Sequence, residues 1–309
     1  MMQRADLVAA AGDSIAIGSK SFRFASQLFD EPTRERSWLL YSWCRACDDI
    51  TDGQTLGHDA TTPANPGERL DFVREKTATA LAGEKTGLVP FDALGMVAAE
   101  CAIHPDLPAH HLAGFARDAA GWQPESEEDL LSYCYQVAGA VGVMMAQVMG
   151  VPAQDSDTLD RASDLGLAFQ LANIARDVVE DARVGRCYLP RQWLTEEGID
   201  RIDPDDEAQR EKLARLARRL ATHADLYRMS ARVGAARLPM RSRWAVLSAA
   251  RIYGAIAEKA RDFGATAWDR RITVSKREKL WHVARALVDC FSAPPEMDRR
   301  NLWTRPALG

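Results

Sequence analysis

The side chains best suited to chemistry lie in two acidic runs on helical spacing. The first is Tyr41-Ser-Trp-Cys-Arg45-Ala-Cys-Asp48-Asp49-Ile-Thr-Asp52. Steps of four, three and four set Tyr41, Arg45, Asp48 and Asp52 on one face of a helix. The second is Gln170-Leu-Ala-Asn173-Ile-Ala-Arg176-Asp177-Val-Val-Glu-Asp181. There, steps of three, four and four align Gln170, Asn173, Asp177 and Asp181. Asp48, Asp49 and Asp52 crowd the end of a helix that stops at Gly53. They face the negative pole of its dipole and one another, at about 0.3–1 kcal/mol each when exposed. Local rules are broken in this way where function requires it. Oxygen donors with no His or Cys cluster suit Mg²⁺ or Mn²⁺ rather than zinc. Magnesium takes one or two carboxylates and completes its shell with phosphate oxygens. The D-x-x-x-D spacing alone is common. Asp160 and Asp164 share it, roughly 220° around the helix from Asp177 at about 100° per residue, and they read as a solvated face. Either true stripe alone could be solvated surface; two together, each with an arginine and polar neighbours, are far more specific.

The elements that must carry these stripes are helices. Apolar residues recur at three and four positions almost throughout, and strand-like alternation is nearly absent. In residues 36–52 the stripe is Leu39, Leu40, Trp43, Cys44, Cys47 and Ile50. Residues 207–233 and 241–263 repeat it with Pro239 between them. Turn formers place loops at Gly53 to Gly67, Arg183 to Pro190 and Gly198 to Asp206. The fold class is therefore all-α: one helical domain over residues 1–309 around a central space, with an irregular tail from about residue 292. The apolar run Val137 to Ala153 is short for a bilayer span, holds Gln147 and ends at Pro152, so it reads as a buried helix. Asp6 and Asp13 interrupt the N-terminal segment, which does not read as a signal peptide. The six cysteines are scattered; Cys44 and Cys47 form a C-x-x-C within a helical pattern, read as a buried face, and a reducing cytoplasmic setting fits. Lys and Arg total 39 against 44 Asp and Glu, a net charge of −5. With no basic stripe, nucleic-acid binding is not expected. A diphosphate ligand would have to be drawn by local arginines and bound cations.

Taken in order, several segments resemble the squalene and phytoene synthase family from about Ser19 to about Arg271. They are Ser19-Lys20-Ser21-Phe22, Tyr41-x-x-x-Arg45-x-x-Asp48-Asp49-x-x-Asp52, Tyr133-Cys-Tyr-x-Val137-Ala-Gly-x-Val141-Gly142, Gln170 to Asp181, Arg186-x-Tyr188-Leu-Pro190, and Tyr253 followed by Arg270-Arg271. The resemblance implies an isoprenoid-synthase (terpenoid synthase) helical fold whose two aspartate motifs face each other across a cavity and hold magnesium. Asp48, Asp52, Asn173, Asp177 and Asp181 would be the metal-side residues. Ser19, Ser21, Arg45, Arg176, Tyr188 and Arg270 would contact diphosphate. Tyr41, Phe22, Tyr133, Gln170 and Tyr253 would line the reaction space.

Within the family, the likeness is strongest to bacterial phytoene-forming members. That implies a Mg²⁺- or Mn²⁺-dependent prenyltransferase of carotenoid biosynthesis, joining two geranylgeranyl diphosphates head to head through a cyclopropyl diphosphate. The alternatives are the same chemistry on C15 diphosphates, a terpene cyclase, or a non-catalytic scaffold. No nicotinamide cofactor is expected. Lipophilic substrate and product imply peripheral association with the membrane and hand-off to a downstream phytoene desaturase. Two further expectations concern space for the polyprene. Ser26, on the face shared by Ser19 and Phe22, could lie beside the tail or pack against a helix. Ala138, Gly139, Ala140, Gly142 and Ala146 could leave room for tails or allow close helix packing.

Overall fold

The computed structural model describes residues 3–18, 25–51 and 65–309, and among these it contains helices and no strand. Helix α1 spans Arg4–Gly18, α2 Glu31–Thr51, α3 Pro66–Leu81, α4 Val89–Cys101 and α5 Asp106–Ala119. Helix α6 (Glu127–Cys134) runs through a π-helical turn, Tyr135–Gly139, into α7 (Ala140–Val148). Then come α8 (Ser156–Arg183), α9 (Arg191–Glu196), α10 (Arg210–Ala235), α11 (Met240–Phe263) and α12 (Lys276–Asp289). The starts follow local chemistry. Asn65 accepts from the Glu68 amide with Pro66 at the first helical position, and Ser126 and Ser275 form capping boxes with Asp129 and Glu278.

Helix α8 is the central post, packed by α10, α11, α7 and the π turn, whereas α2 packs on α1, α3, α4 and α7. One buried cluster gathers around α8, α10 and α11, and a second around α2, α4 and α7. Between α7 and α8 the backbones nearly touch. A Cβ on Gly142 would stand 2.4 Å from the Ala162 carbonyl oxygen, and one on Gly166 2.3 Å from that of Ala138. Close packing, rather than room for tails, accounts for Gly142. The former membrane-span candidate is a short buried helix whose Gln147 amide donates to the Ala102 carbonyl at 3.2 Å. No helix among the described residues is long and apolar enough to cross a membrane.

The last residues correct one expectation. Asp160 and Asp164 are not a solvated face. Asp164 is 1% exposed and accepts from the Ser230 hydroxyl, while Arg299 donates to its two carboxylate oxygens at 2.7 and 2.8 Å. The Arg305 guanidinium lies 2.7 Å from Asp160. The segment 293–309, without helix, is thus laid across α8 and held there. The Trp303 ring meets that of Tyr135 at 5.4 Å, and its amide donates to the Tyr227 hydroxyl. The helical-face argument correctly separated these acids from Asp177. It could not know that α10 and the tail cover the side they occupy.

Candidate active site

On α2 the first stripe is half-buried rather than solvated. Tyr41, Arg45 and Asp48 each occupy the zone between core and surface, while Leu39, Leu40, Trp43 and Cys47 are fully buried. Arg45 donates to Asp48 at 3.1 Å and pairs with Asp49 at 2.6 Å. Asp49 is buried at 7% exposure, so it serves chiefly to hold the guanidinium, and Asp48 is the more open carboxylate. Burial pushes the Cys44 thiol up to about 12 and Cys47 well above its ordinary value, so this C-x-x-C is inert helix face.

On α8, Leu165, Phe169, Asn173, Asp177 and Asp181 follow one another at four-residue steps, all half-buried, with Gln170 and Arg176 beside them. Arg176 grips Asp177 through two hydrogen bonds, one at 2.7 Å. Asp181 has a carboxyl pushed up to about 7, first by burial, then by repulsion from Asp177, against the pull of Arg186. Helices α2 and α8 both pack on α7. Half-buried side chains continue along α7 at Val141 and Met145, and along α11 at Val246, Ala249 and Tyr253. Half-buried positions thus recur at helical spacing on four helices.

The tyrosines divide into two groups. Tyr253 stacks on Phe169 with centroids 4.1 Å apart and lies in the field of Arg176. A small cleft of about 10 Å³ opens beside it, lined by Phe169, Ala172, Ala224, Arg228, Tyr253 and Gly254. Tyr133 and Tyr188 stack at 5.0 Å, and both hydroxyls donate to Asp118: Tyr133 to each carboxylate oxygen at 3.0 Å, Tyr188 to one at 3.0 Å. Burial, with Asp118 adding repulsion, pushes both phenols up, so they stay protonated donors. Asp118 was not among the sequence candidates. It stands in the last turn of α5, where a carboxylate opposes the dipole, and only that mismatch could have flagged it. Arg186 acts electrostatically on both Asp181 and Tyr188, which ties this pair to the α8 stripe.

Arg270 is exposed on the loop after α11. That loop is fastened to the acidic end of α8 by Trp268, whose indole donates to the Ala175 carbonyl at 3.3 Å, and by Arg271 on Glu180 at 2.9 Å. Ser19, Ser21, Phe22 and Asp52 lie outside the described residues. Ser26 is fully buried and its hydroxyl accepts from the Trp38 indole at 3.0 Å, so its side chain packs against α2. Among the described residues no three acids converge as a ready metal cluster. The donors nevertheless suit a hard divalent cation. They are oxygens only, and Asp177 and Asp181 stand one helical turn apart with their charges repelling.

Comparison with known proteins fits this geometry. The family model described as squalene/phytoene synthase matches residues 15–278. A 15-cis-phytoene synthase of Pantoea ananas is 45% identical over 99% of this chain and 100% of its own length. One from a Paracoccus strain is 43% identical over 97% and 98%. Among solved structures, a dehydrosqualene synthase in complex with ligand superposes with a TM-score of 0.78 at 25% identity, covering 92% of this chain and 96% of that one. A squalene synthase of Alicyclobacillus acidocaldarius, at 21% identity, shares the fold with a TM-score of 0.74 over 84% and 95%. With the family model spanning both acidic stripes and relatives matched end to end, the chain belongs to the squalene/phytoene synthase family.

Proposed function

We propose that the protein joins two geranylgeranyl diphosphates head to head, through a cyclopropyl C40 diphosphate, to give phytoene. The observation that carries this reading is end-to-end identity of 45% with a 15-cis-phytoene synthase. The arrangement of two arginine-bearing acidic stripes supports it. Asp48, Asp52, Asn173, Asp177 and Asp181 would hold Mg²⁺ or Mn²⁺, which when bound neutralises the leaving diphosphate and lowers the barrier to C–O cleavage. Arg45 and Arg176, already oriented by their aspartates, present planar guanidinium donors to phosphate oxygens. Arg186 and Arg270 add positive charge at the same end of α8, and Ser19 and Ser21 would supply hydroxyl donors.

Loss of diphosphate from one C20 unit leaves an allylic cation that alkylates the C2–C3 double bond of the second. Proton loss closes the cyclopropane. Departure of the second diphosphate then allows rearrangement and a final proton loss, with released diphosphate as the nearby base. The chain's own part is to stabilise these cations without capturing them. Tyr41 and Tyr253 would offer ring faces, worth about 0.5–2 kcal/mol each when desolvated, whereas Tyr133 is buried between Tyr188 and Trp122 and would act from behind them. The Tyr133 hydroxyl donates to Asp118, which fixes the orientation of that ring. Phe22 and Gln170 would complete the wall around the reacting carbons. Hydrophobic substrate and product bring the enzyme to the membrane surface, where a phytoene desaturase would take up the product.

The test is product analysis with purified protein, C20 diphosphate and Mg²⁺, without reduced nicotinamide. A C40 hydrocarbon is expected, lost on chelation and restored by Mg²⁺ or Mn²⁺. Asp48→Ala and Asp177→Ala are expected to cut turnover about 100-fold or more with the fold intact. Cyclised C20 products, or unchanged turnover in both variants, would overturn the reading.

A further inference from the structure

Helix α12 packs one side against α11 and turns the other to solvent. Val283, Ala286 and Cys290 are buried, and the Trp244 indole of α11 donates to the Val283 carbonyl at 2.8 Å. The outward side is not polar. Leu280, Trp281, Leu287, Val288 and Phe291 are exposed by 58%, 57%, 38%, 56% and 75%. At about 100° per residue these five, with Ala284, fall within an arc of roughly 120°. That is an amphipathic helix with its apolar stripe facing away from the protein.

Charge around the stripe is one-sided. Lys276 and Arg285 lie just beyond its two edges and Arg277 near its N-terminal end, all exposed. The Arg285 guanidinium rests 5.9 Å from the Trp281 ring centroid. The acids of the helix lie off the stripe and are paired: Glu278 with Lys259 at 2.6 Å and Asp289 with Arg251 at 2.5 Å. A chain of net charge −5 therefore carries a local basic rim around an exposed apolar strip.

We infer that the outer face of α12 is the surface by which the protein lies on anionic phospholipid, with Leu280, Trp281, Leu287, Val288 and Phe291 entering the headgroup boundary. The rim selects this occupant. Phosphate headgroups complement Lys276, Arg277 and Arg285, whose aliphatic stems can lie along the apolar zone while their charges reach the phosphates. A second copy of the same face would bring like charges together. The family match ends at residue 278, at the start of α12, so this outer face is not part of what the family model describes. The position suits the proposed function, because α12 backs directly onto α11, the helix that bears Tyr253. The inference rests on the proposed prenyl-transfer function and its membrane association, and it names the surface responsible.

The experiment is flotation of the full chain with phosphatidylglycerol/phosphatidylcholine vesicles and with pure phosphatidylcholine vesicles. It compares the parent, Trp281→Ser/Phe291→Ser and Arg277→Glu/Arg285→Glu, with turnover measured in parallel on detergent-dispersed C20 diphosphate. The parent is expected on anionic vesicles only. Each double variant is expected to lose at least about tenfold in partitioning while keeping turnover in detergent, which also shows that it folds. Parent binding retained by both variants would overturn the α12 surface and leave membrane association standing. Absence of parent binding to either vesicle would overturn membrane association itself. A parent dimer that becomes monomeric in Trp281→Ser/Phe291→Ser, with vesicle binding unchanged, would reassign the face to self-association.

Discussion

At the scale of single residues, the acids differ by what faces them. Asp48 and Asp177 are oriented by arginines yet half-open, Asp181 is raised first by burial and then by Asp177, and Asp164 is sealed under Arg299. Removing Asp164 would cost Arg299 two charge-assisted hydrogen bonds while leaving it Asp160 at 3.2 Å, so Asp164→Ala is expected to lose about 1.5–3 kcal/mol, read as a lower urea midpoint. A midpoint equal to the parent's would contradict the strap across α8. Asp118 acts through the two tyrosines that it receives. Asp118→Asn keeps the shape but can no longer accept both phenols as a charged group, a difference of about 1.5–3 kcal/mol in charge-assisted hydrogen bonding. Turnover is expected to fall roughly tenfold, and the midpoint of denaturation to fall with the weakened bonds while the variant still folds. Unaltered kcat in the folded variant would remove Asp118 from the site. The acidic stripes were legible because spacing alone sets a helical face. Asp118 was not, because its partners are 15 and 70 residues away in sequence.

At the scale of elements, the periodicity of Leu39, Leu40, Trp43 and Cys47 was enough to predict α2 and its buried side. The breakers Pro239 and Gly198 likewise marked real ends. The π turn at Tyr135–Gly139 was not legible, since no residue type demands it. Its cause is tertiary. Gly114 of α5 abuts Val137, His110 meets the Tyr135 hydroxyl at 2.7 Å, and the His111 ring bonds the Gln136 carbonyl at 3.2 Å. His111 also packs on Trp43 of α2 at 5.4 Å, so it joins three elements. Burial lowers its pKa from 6.5 to about 4, the Gln136 carbonyl only partly opposing. Between these values the unfolded chain binds a proton that the folded chain refuses. Stability is therefore complete above pH 6.5 and falls as pH drops toward 4, by about 3 kcal/mol in all. Denaturation midpoints across that window should decline more steeply in the parent than in His111→Gln. Parallel curves would mean that His111 is not held neutral in the core.

At the scale of the whole molecule, resemblance running from about Ser19 to Arg271 anticipated a family match over residues 15–278. The fold class was legible for the same reason, because ordered motifs on helical spacing admit few architectures. The path of the last seventeen residues was not, since a segment without helix carries no period. Its anchors, Arg299 and Trp303, are recognisable only once α8 and α10 are in place. Chain-length choice belongs to this scale too, and Ser26, which is buried against the Trp38 indole of α2, is not the residue that sets it. The direct test offers equimolar C15 and C20 diphosphates to the purified protein in one vessel with Mg²⁺ and resolves the C30, C35 and C40 hydrocarbons formed. Phytoene as the main product, with C30 hydrocarbon a minor fraction, is the predicted result; predominance of C30 hydrocarbon would contradict it.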